Sequence, residues 1–150
     1  MRIHLIAIAG LLAGLVGAHA KDAAKTYTSD QPYEDVAASL EDAVVNRGYV
    51  VDYHGQIGDM LTRTAGDVGA EKPLYSNAEF IQFCSAVVSR KTMEEDLSNI
   101  AFCPYVLFVY EAEEKPSEIV VGYRPLPAGP GRDEVNALLD EIAQEAAEGF

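Results

Sequence analysis

Two cysteines, Cys84 and Cys103, are the residues of this chain best suited to covalent chemistry. Two cysteines in an exported protein most often form a disulfide. This pairing requires antiparallel strands, because a parallel crossover would separate the two Cα atoms far beyond the ~7 Å limit for a bridge. Two buried free thiols are one alternative, and a redox-active or metal-binding pair is another. No Cys-x-x-Cys spacing supports the latter.

A second candidate for chemistry is the pair Asp52 and His54, which lie two positions apart on one face of a predicted strand. A carboxylate beside an imidazole can orient the ring for metal binding or for general-base catalysis. The same pair is also typical of a solvated sheet surface. Non-covalent haem bound through His54 or Met60 is a further alternative. The chain has no Gly-x-Ser-x-Gly motif, no phosphate-binding loop and no Cys-x-x-Cys-His, so these sequence signatures predict no catalytic class.

The charge of the chain excludes several classes of partner. The 150 residues carry 24 acidic and 11 basic side chains, a formal net charge of −13. Nucleic acids and anionic membrane surfaces both require clustered basic side chains. We therefore expect no nucleic-acid partner, no membrane partner after export, and a protein or small ligand of unknown identity instead.

The first 20 residues have the composition of a secretory signal. Arg2 is followed by an apolar run at residues 5–17, which is too short to span a bilayer, and small residues at 18–20 form a cleavage site. An uncleaved N-terminal anchor is the alternative. We predict a signal peptide at residues 1–20, one domain at residues 21–150, and a location in the periplasm or outside the cell.

The elements that must position these residues follow from periodicity and from signals at helix ends. A first helix is expected after an N-cap at Ser29 or Asp30, and it ends at Arg47 and Gly48. A short helix, a loop over residues 66–77 and a helix capped by Ser85 interrupt the later strands. Strands are predicted at residues 25–29, 49–54, 78–84, 105–111 and 118–124, and a last helix at residues 133–147. This order, strand-helix-four strands-helix, predicts an α+β fold with an antiparallel sheet and helices on one face.

One sheet face is predicted to be the working surface. Its centre is apolar and its border polar, which is typical of an interface or a ligand cleft. Gly122 lies inside a strand, where a glycine indicates close approach of another backbone or of a ligand. The alternative is that the short helices cover this face and make it ordinary core. The predicted dimer contact or ligand-binding residues are Asp52, His54, Val120, Gly122 and Arg124.

Several motifs resemble a bacterial family known as domain of unknown function 302. They are residues 52–69, Phe83-Cys84-Ser85, residues 102–105 and residues 108–111, within a resemblance that extends from about residue 33 to residue 143. Members of the family commonly carry Pro-Cys where this chain has Cys103-Pro104, so no role of the family cysteine is carried over. The resemblance implies a fold similar to one repeat of the TATA-binding protein, often a homodimer, and no established activity.

The sequence thus predicts a periplasmic, non-enzymatic binding or accessory module without a cofactor, acting as a homodimer. The alternative is a redox or cofactor protein that uses Cys84 and Cys103, or His54 with haem or a metal. The colour of the purified protein and a count of its free thiols distinguish the two.

Overall fold

The computed structural model describes residues 24–149, and the predicted signal peptide lies outside them. Within this range no helix has the length and apolar character needed to cross a membrane. Short 3₁₀ turns occupy Gly66–Val68 and Leu97–Phe102. In chain order the other elements are β1 (Lys25–Ser29), α1 (Tyr33–Val45), β2 (Val51–Gly55), α2 (Ile57–Thr64), β3 (Tyr75–Phe83), α3 (Ala86–Glu95), β4 (Tyr105–Ala112), β5 (Ile119–Tyr123) and α4 (Arg132–Glu148).

The five strands form one antiparallel sheet in the order β1-β5-β4-β3-β2. The predicted α+β fold and its element order are confirmed. Strands β4 and β5 form a hairpin, with its turn at residues 113–118. The first and last strands in the sheet, β1 and β2, are its two edges.

One face of the sheet, here called the helix face, is covered by α1 and α4. Val36 and Leu40 of α1 and Leu139 and Ile142 of α4 are fully or almost fully buried against it. Every second residue of the central strands points into this core, as strand alternation requires. These residues are Ile81, Phe83, Tyr105, Leu107, Val109, Ile119, Val121 and Tyr123.

The helix ends follow local sequence signals at two of the three predicted sites. Gly48 has φ +79°, and the Tyr49 and Gly48 amides bond the carbonyls of Val44 and Val45, which is a Schellman motif. Ser85 caps α3 through its Oγ, which accepts a hydrogen bond from the Val88 amide.

The predicted N-cap of α1 at Ser29 or Asp30 is wrong. Pro32 occupies the N-cap position, and its carbonyl accepts hydrogen bonds from the amides of Asp35 and Val36. The Ser29 hydroxyl is used earlier, where it accepts a hydrogen bond from the Gln31 amide.

Strand β3 begins three residues earlier than predicted. Tyr75 and Asn77 pair with Ala112 and Glu111 of β4, and the Asn77 side-chain amide also donates to the Glu111 carboxylate. A predicted loop therefore contains the start of the longest strand, because its polar residues find their partners on β4.

Asp140 of α4 anchors the edge strand β1. Its carboxylate forms an ion pair with Lys25 (2.6 Å) and accepts hydrogen bonds from the hydroxyls of Tyr27 and Tyr123. Burial raises the pKa of Asp140, but the hydrogen bonds from Lys25 and Tyr27 outweigh burial and hold this pKa below its ordinary value. The first strand is thereby fastened to the last helix.

Candidate functional site

The sheet surface opposite α1 and α4, here called the open face, has the composition of a binding surface. Cross-strand pairs share a face, so the register defines its members. None of them carries a charge. They are Thr26, Thr28, Tyr53, Gly55, Tyr75, Ala78, Phe80, Gln82, Val106, Phe108, Tyr110, Ala112, Val120 and Gly122.

Aromatic rings occupy the centre of the open face. Phe108 and Tyr110 stack with their ring centroids 6.2 Å apart, and Tyr53 lies 5.7 Å from Phe80. The rings of Phe80, Phe108 and Tyr110 are only half-buried, and Tyr53 is 56% exposed. Helices α1 and α4 leave this face uncovered, but α2 packs against one end of it, where a Cβ at Gly58 would lie 3.4 Å from the Ala78 Cβ. Ala78 and Val120 are buried, so the short helix α2 covers part of the face, as the alternative interpretation expected.

Two glycines make room for these rings. A Cβ at Gly122 would lie 2.9 Å from Phe108 Cζ and would overlap the carbonyl oxygen of Lys25 on β1. A Cβ at Gly55 would overlap the ring of Phe80. The close approach expected at Gly122 is therefore made by β1 and by Phe108 of the same chain.

The predicted site residues do not form one cluster. Val120 and Gly122 lie on the open face, and Arg124 follows β5 with an exposed side chain. His54 pairs with Ile81, a core residue, and therefore lies on the helix-face side of β2. Strands β2 and β5 are also three positions apart in the sheet, about 14 Å at normal strand spacing.

A β-bulge is the reason that the predicted grouping of His54 with the open face is wrong. The register shifts between Val51 and Tyr53, where Asp52 is the additional residue. An extra residue reverses the alternation of side chains that follow it. Tyr53 consequently joins the open face, and His54 moves to the other side.

The partner of His54 is Glu79, not the predicted Asp52. His54 Nε2 lies 3.1 Å from Glu79 Oε2, and the side-chain amide of Gln56 donates to the same oxygen at 2.8 Å. A carboxylate that holds an imidazole in this way fixes its orientation. Within residues 24–149 no group of three or more His, Cys, Asp or Glu side chains is placed to hold a metal ion.

The surroundings of this pair are strongly acidic. Burial is the main cause that raises the pKa of the Tyr33 hydroxyl, and the negative charges of Glu79, Glu34, Asp59 and Glu111 add to it. Four carboxylates therefore lie close enough to Tyr33 to disfavour the ionised form of its hydroxyl.

Cys84 and Cys103 form a disulfide, with their Cα atoms 6.2 Å apart. They lie at the same end of neighbouring strands because β3 and β4 are antiparallel, as the predicted pairing requires. Ser89 of α3 lies over the bridge, with its hydroxyl 3.8 Å from Cys103 Sγ and 3.0 Å from the Tyr105 hydroxyl. The bridge closes the loop that carries α3.

A cavity of about 370 Å³ lies beneath α2, where the sequence predicts none. Its apolar lining includes Leu61, Val68 and Leu74, and Lys72 lies among the lining residues. Most of this wall falls in a segment predicted as a loop. The presence of Val68 and Leu74 in an otherwise polar segment is the signal that could have indicated it.

The fold is shared with a solved structure described as an uncharacterized conserved protein DUF302 from Bacillus stearothermophilus. The two chains superpose with a TM-score of 0.58 at 14% identity, over 84% of this chain and 94% of that chain. The chain has the DUF302 fold. The sequence resemblance and the structure thus point to the same family of folds. No family model matches the sequence, and no curated protein matches it significantly. The DUF302 fold supplies the scaffold, and by itself assigns no activity.

Proposed function

We propose that the chain is an exported, non-enzymatic binding module that acts as a homodimer through its open face. One observation carries this proposal. Fourteen residues on five neighbouring strands, four of them buried, form a charge-free face with an aromatic centre in a chain of net charge −13. Large apolar patches on soluble domains are typical of interaction sites.

A second copy of the chain suits this surface electrostatically. Two molecules of charge −13 repel each other wherever carboxylates meet. An isologous contact between two open faces avoids that repulsion, because each face presents no charge to the other. Phe80, Phe108 and Tyr110 then supply the aromatic centre that such interfaces favour.

The size of the open face predicts a weak dimer. Five strands about 4.8 Å apart and about five residues long give a projected area of roughly 400 Å² for each copy. Stable interfaces bury about 800 Å² for each partner. The dimer is therefore expected to dissociate on dilution.

Sedimentation over a range of protein concentrations tests this assembly. Wild-type protein should pass from monomer to dimer as its concentration rises. Val106→Glu, on the open face, should remain a monomer with an unchanged circular dichroism spectrum. Val87→Glu is the control, because Val87 of α3 is 77% exposed and lies away from the open face. A wild-type monomer at every concentration, or a dimer of Val106→Glu, contradicts the proposal.

The redox or cofactor alternative rests on the orientation of His54 by Glu79 and on the disulfide. Analysis of protein purified from the periplasm of its source organism distinguishes the two functions. The binding module should be colourless, should begin at Lys21 by intact mass, and should keep its disulfide under mild reductant. A haem or metal absorption spectrum, or rapid reduction of the disulfide, favours the alternative.

A further inference from the structure

The segment between β2 and β3 is unusually poorly packed. None of residues 56–74 is buried, although the segment includes α2 with its apolar Ile57, Met60 and Leu61. Val68 and Leu74 are 77% and 64% exposed. Side chains of this kind are normally drawn into a core, so their exposure leaves apolar surface without a partner.

Three of these side chains, Leu61, Val68 and Leu74, line the cavity beneath α2. Leu61, Ala65, Val68, Leu74 and Tyr75 are among its lining residues, and its volume of about 370 Å³ lies within the range of small-molecule sites, roughly 300–1,000 Å³. A concave wall of this size fits a small molecule better than a protein surface.

Lys72 and Glu71 are the two charged residues that line the cavity, so the lining has no net charge and Lys72 supplies the group that can hold an anion. Lys72 is the one cation among the lining residues, and none of the ion pairs between residues 24–149 includes it. The adjacent Glu71 also lines the cavity, so the lysine is not part of a larger basic patch. An unpaired ammonium at an apolar cavity is suited to one carboxylate joined to an apolar body.

We infer that this cavity binds a small aliphatic or aromatic carboxylic acid, with its apolar body against Leu61, Val68 and Leu74 and its carboxylate near Lys72. The cavity borders the open face, because Tyr75 lines the cavity and packs against Tyr110 of that face, with their ring centroids 5.4 Å apart. The inference does not depend on the proposed dimer. The acid would bury the apolar surface that α2 and the following turn leave exposed.

Decanoate, used below its micellar concentration, is the test ligand. Its binding is measured by displacement of the neutral dye N-phenyl-1-naphthylamine and confirmed by calorimetry. Wild-type protein should bind one decanoate per chain. Val68→Gln should weaken binding about tenfold, because a valine contributes apolar burial of that order. Val87→Gln is the matched control, since both valines are 77% exposed, and it should bind as wild type does.

Two further arms locate the contacts. Lys72→Gln should weaken binding of decanoate several-fold while leaving decanol unchanged, and Val106→Glu should bind decanoate normally. No binding of decanoate to wild-type protein overturns the inference, as does an equal loss in Val68→Gln and Val87→Gln. Loss of binding in Val106→Glu would move the site to the open face and also overturns it. Equal binding of decanoate by wild type and Lys72→Gln overturns the assignment of the carboxylate.

Discussion

Gly122→Ala should destabilise the domain, because the space beside Gly122 is already filled. The added methyl group would overlap the Lys25 carbonyl oxygen and would lie 2.9 Å from Phe108 Cζ and 3.0 Å from Thr26 Cγ2. The Phe108 ring can move, but the Lys25 carbonyl is backbone of a strand paired with β5. Relief therefore requires displacement of β1.

Overpacking of this kind typically costs about 1–3 kcal/mol, and the involvement of backbone places Gly122→Ala near the upper end. With a urea m-value of about 2 kcal/mol/M, the unfolding midpoint should fall by roughly 1 M. Urea unfolding followed by circular dichroism measures the shift.

Gly66→Ala is the matched control. No atom lies within 4 Å of a Cβ at Gly66 outside its chain neighbours. The same substitution should leave stability unchanged or raise it by up to about 1 kcal/mol, through a smaller entropy of the unfolded chain. If Gly122→Ala unfolds at the same urea concentration as wild type, the explanation of this glycine by β1 and Phe108 fails. Normal stability with loss of dimer would instead support the sequence-based interpretation that Gly122 contacts a partner.

Three further variants test the packing of α4, the disulfide and the attachment of β1 to α4. Leu139→Asp should unfold the domain, because an unpaired charge at this fully buried position costs several kcal/mol, whereas the free energy of unfolding of a domain is typically about 5–15 kcal/mol. An unchanged melting temperature would contradict the packing of α4. Replacing both Cys84 and Cys103 with alanine should lower the free energy of unfolding by about 3 kcal/mol, because the bridge closes a loop of about 20 residues. Calorimetry should then show a melting temperature lower by roughly 10 °C. An unchanged melting temperature would refute a stabilising bridge. Asp140→Asn should be less stable than wild type at pH 7. Because the folded state lowers the pKa of Asp140, this difference in stability is present above the ordinary pKa of 3.8 and is lost as the pH falls through the pKa of the folded state. A difference between the urea midpoints of the two proteins that does not change with pH would contradict this prediction.

The parts of the fold predicted correctly are those specified by neighbouring residues. The end of α1 at Gly48 depends on one glycine with positive φ, and the start of α3 depends on the hydroxyl of Ser85 three residues before the amide it caps. The disulfide was also predictable, because the antiparallel strands before and after α3 bring Cys84 and Cys103 to the same end of the sheet.

The errors come from contacts between distant strands. The bulge at Asp52 is set by the pairing of β2 with β3, and nothing in the local alternation of β2 indicates it. His54 therefore appeared to lie on the open face beside Asp52, whereas its partner is Glu79 on the neighbouring strand. The cavity beneath α2 was missed because its wall has no periodic pattern.

The position of β1 makes the two ends of the domain depend on each other. Within residues 24–149, β1 is the first strand and pairs only with β5. Gln31, just after β1, donates a hydrogen bond to the Glu148 carbonyl in the last turn of α4. During synthesis, β1 therefore cannot pair until β5, which begins at Ile119, has been made. A product truncated before β5 has no site for β1. Removal of either end is expected to take away contacts that hold the other end in place.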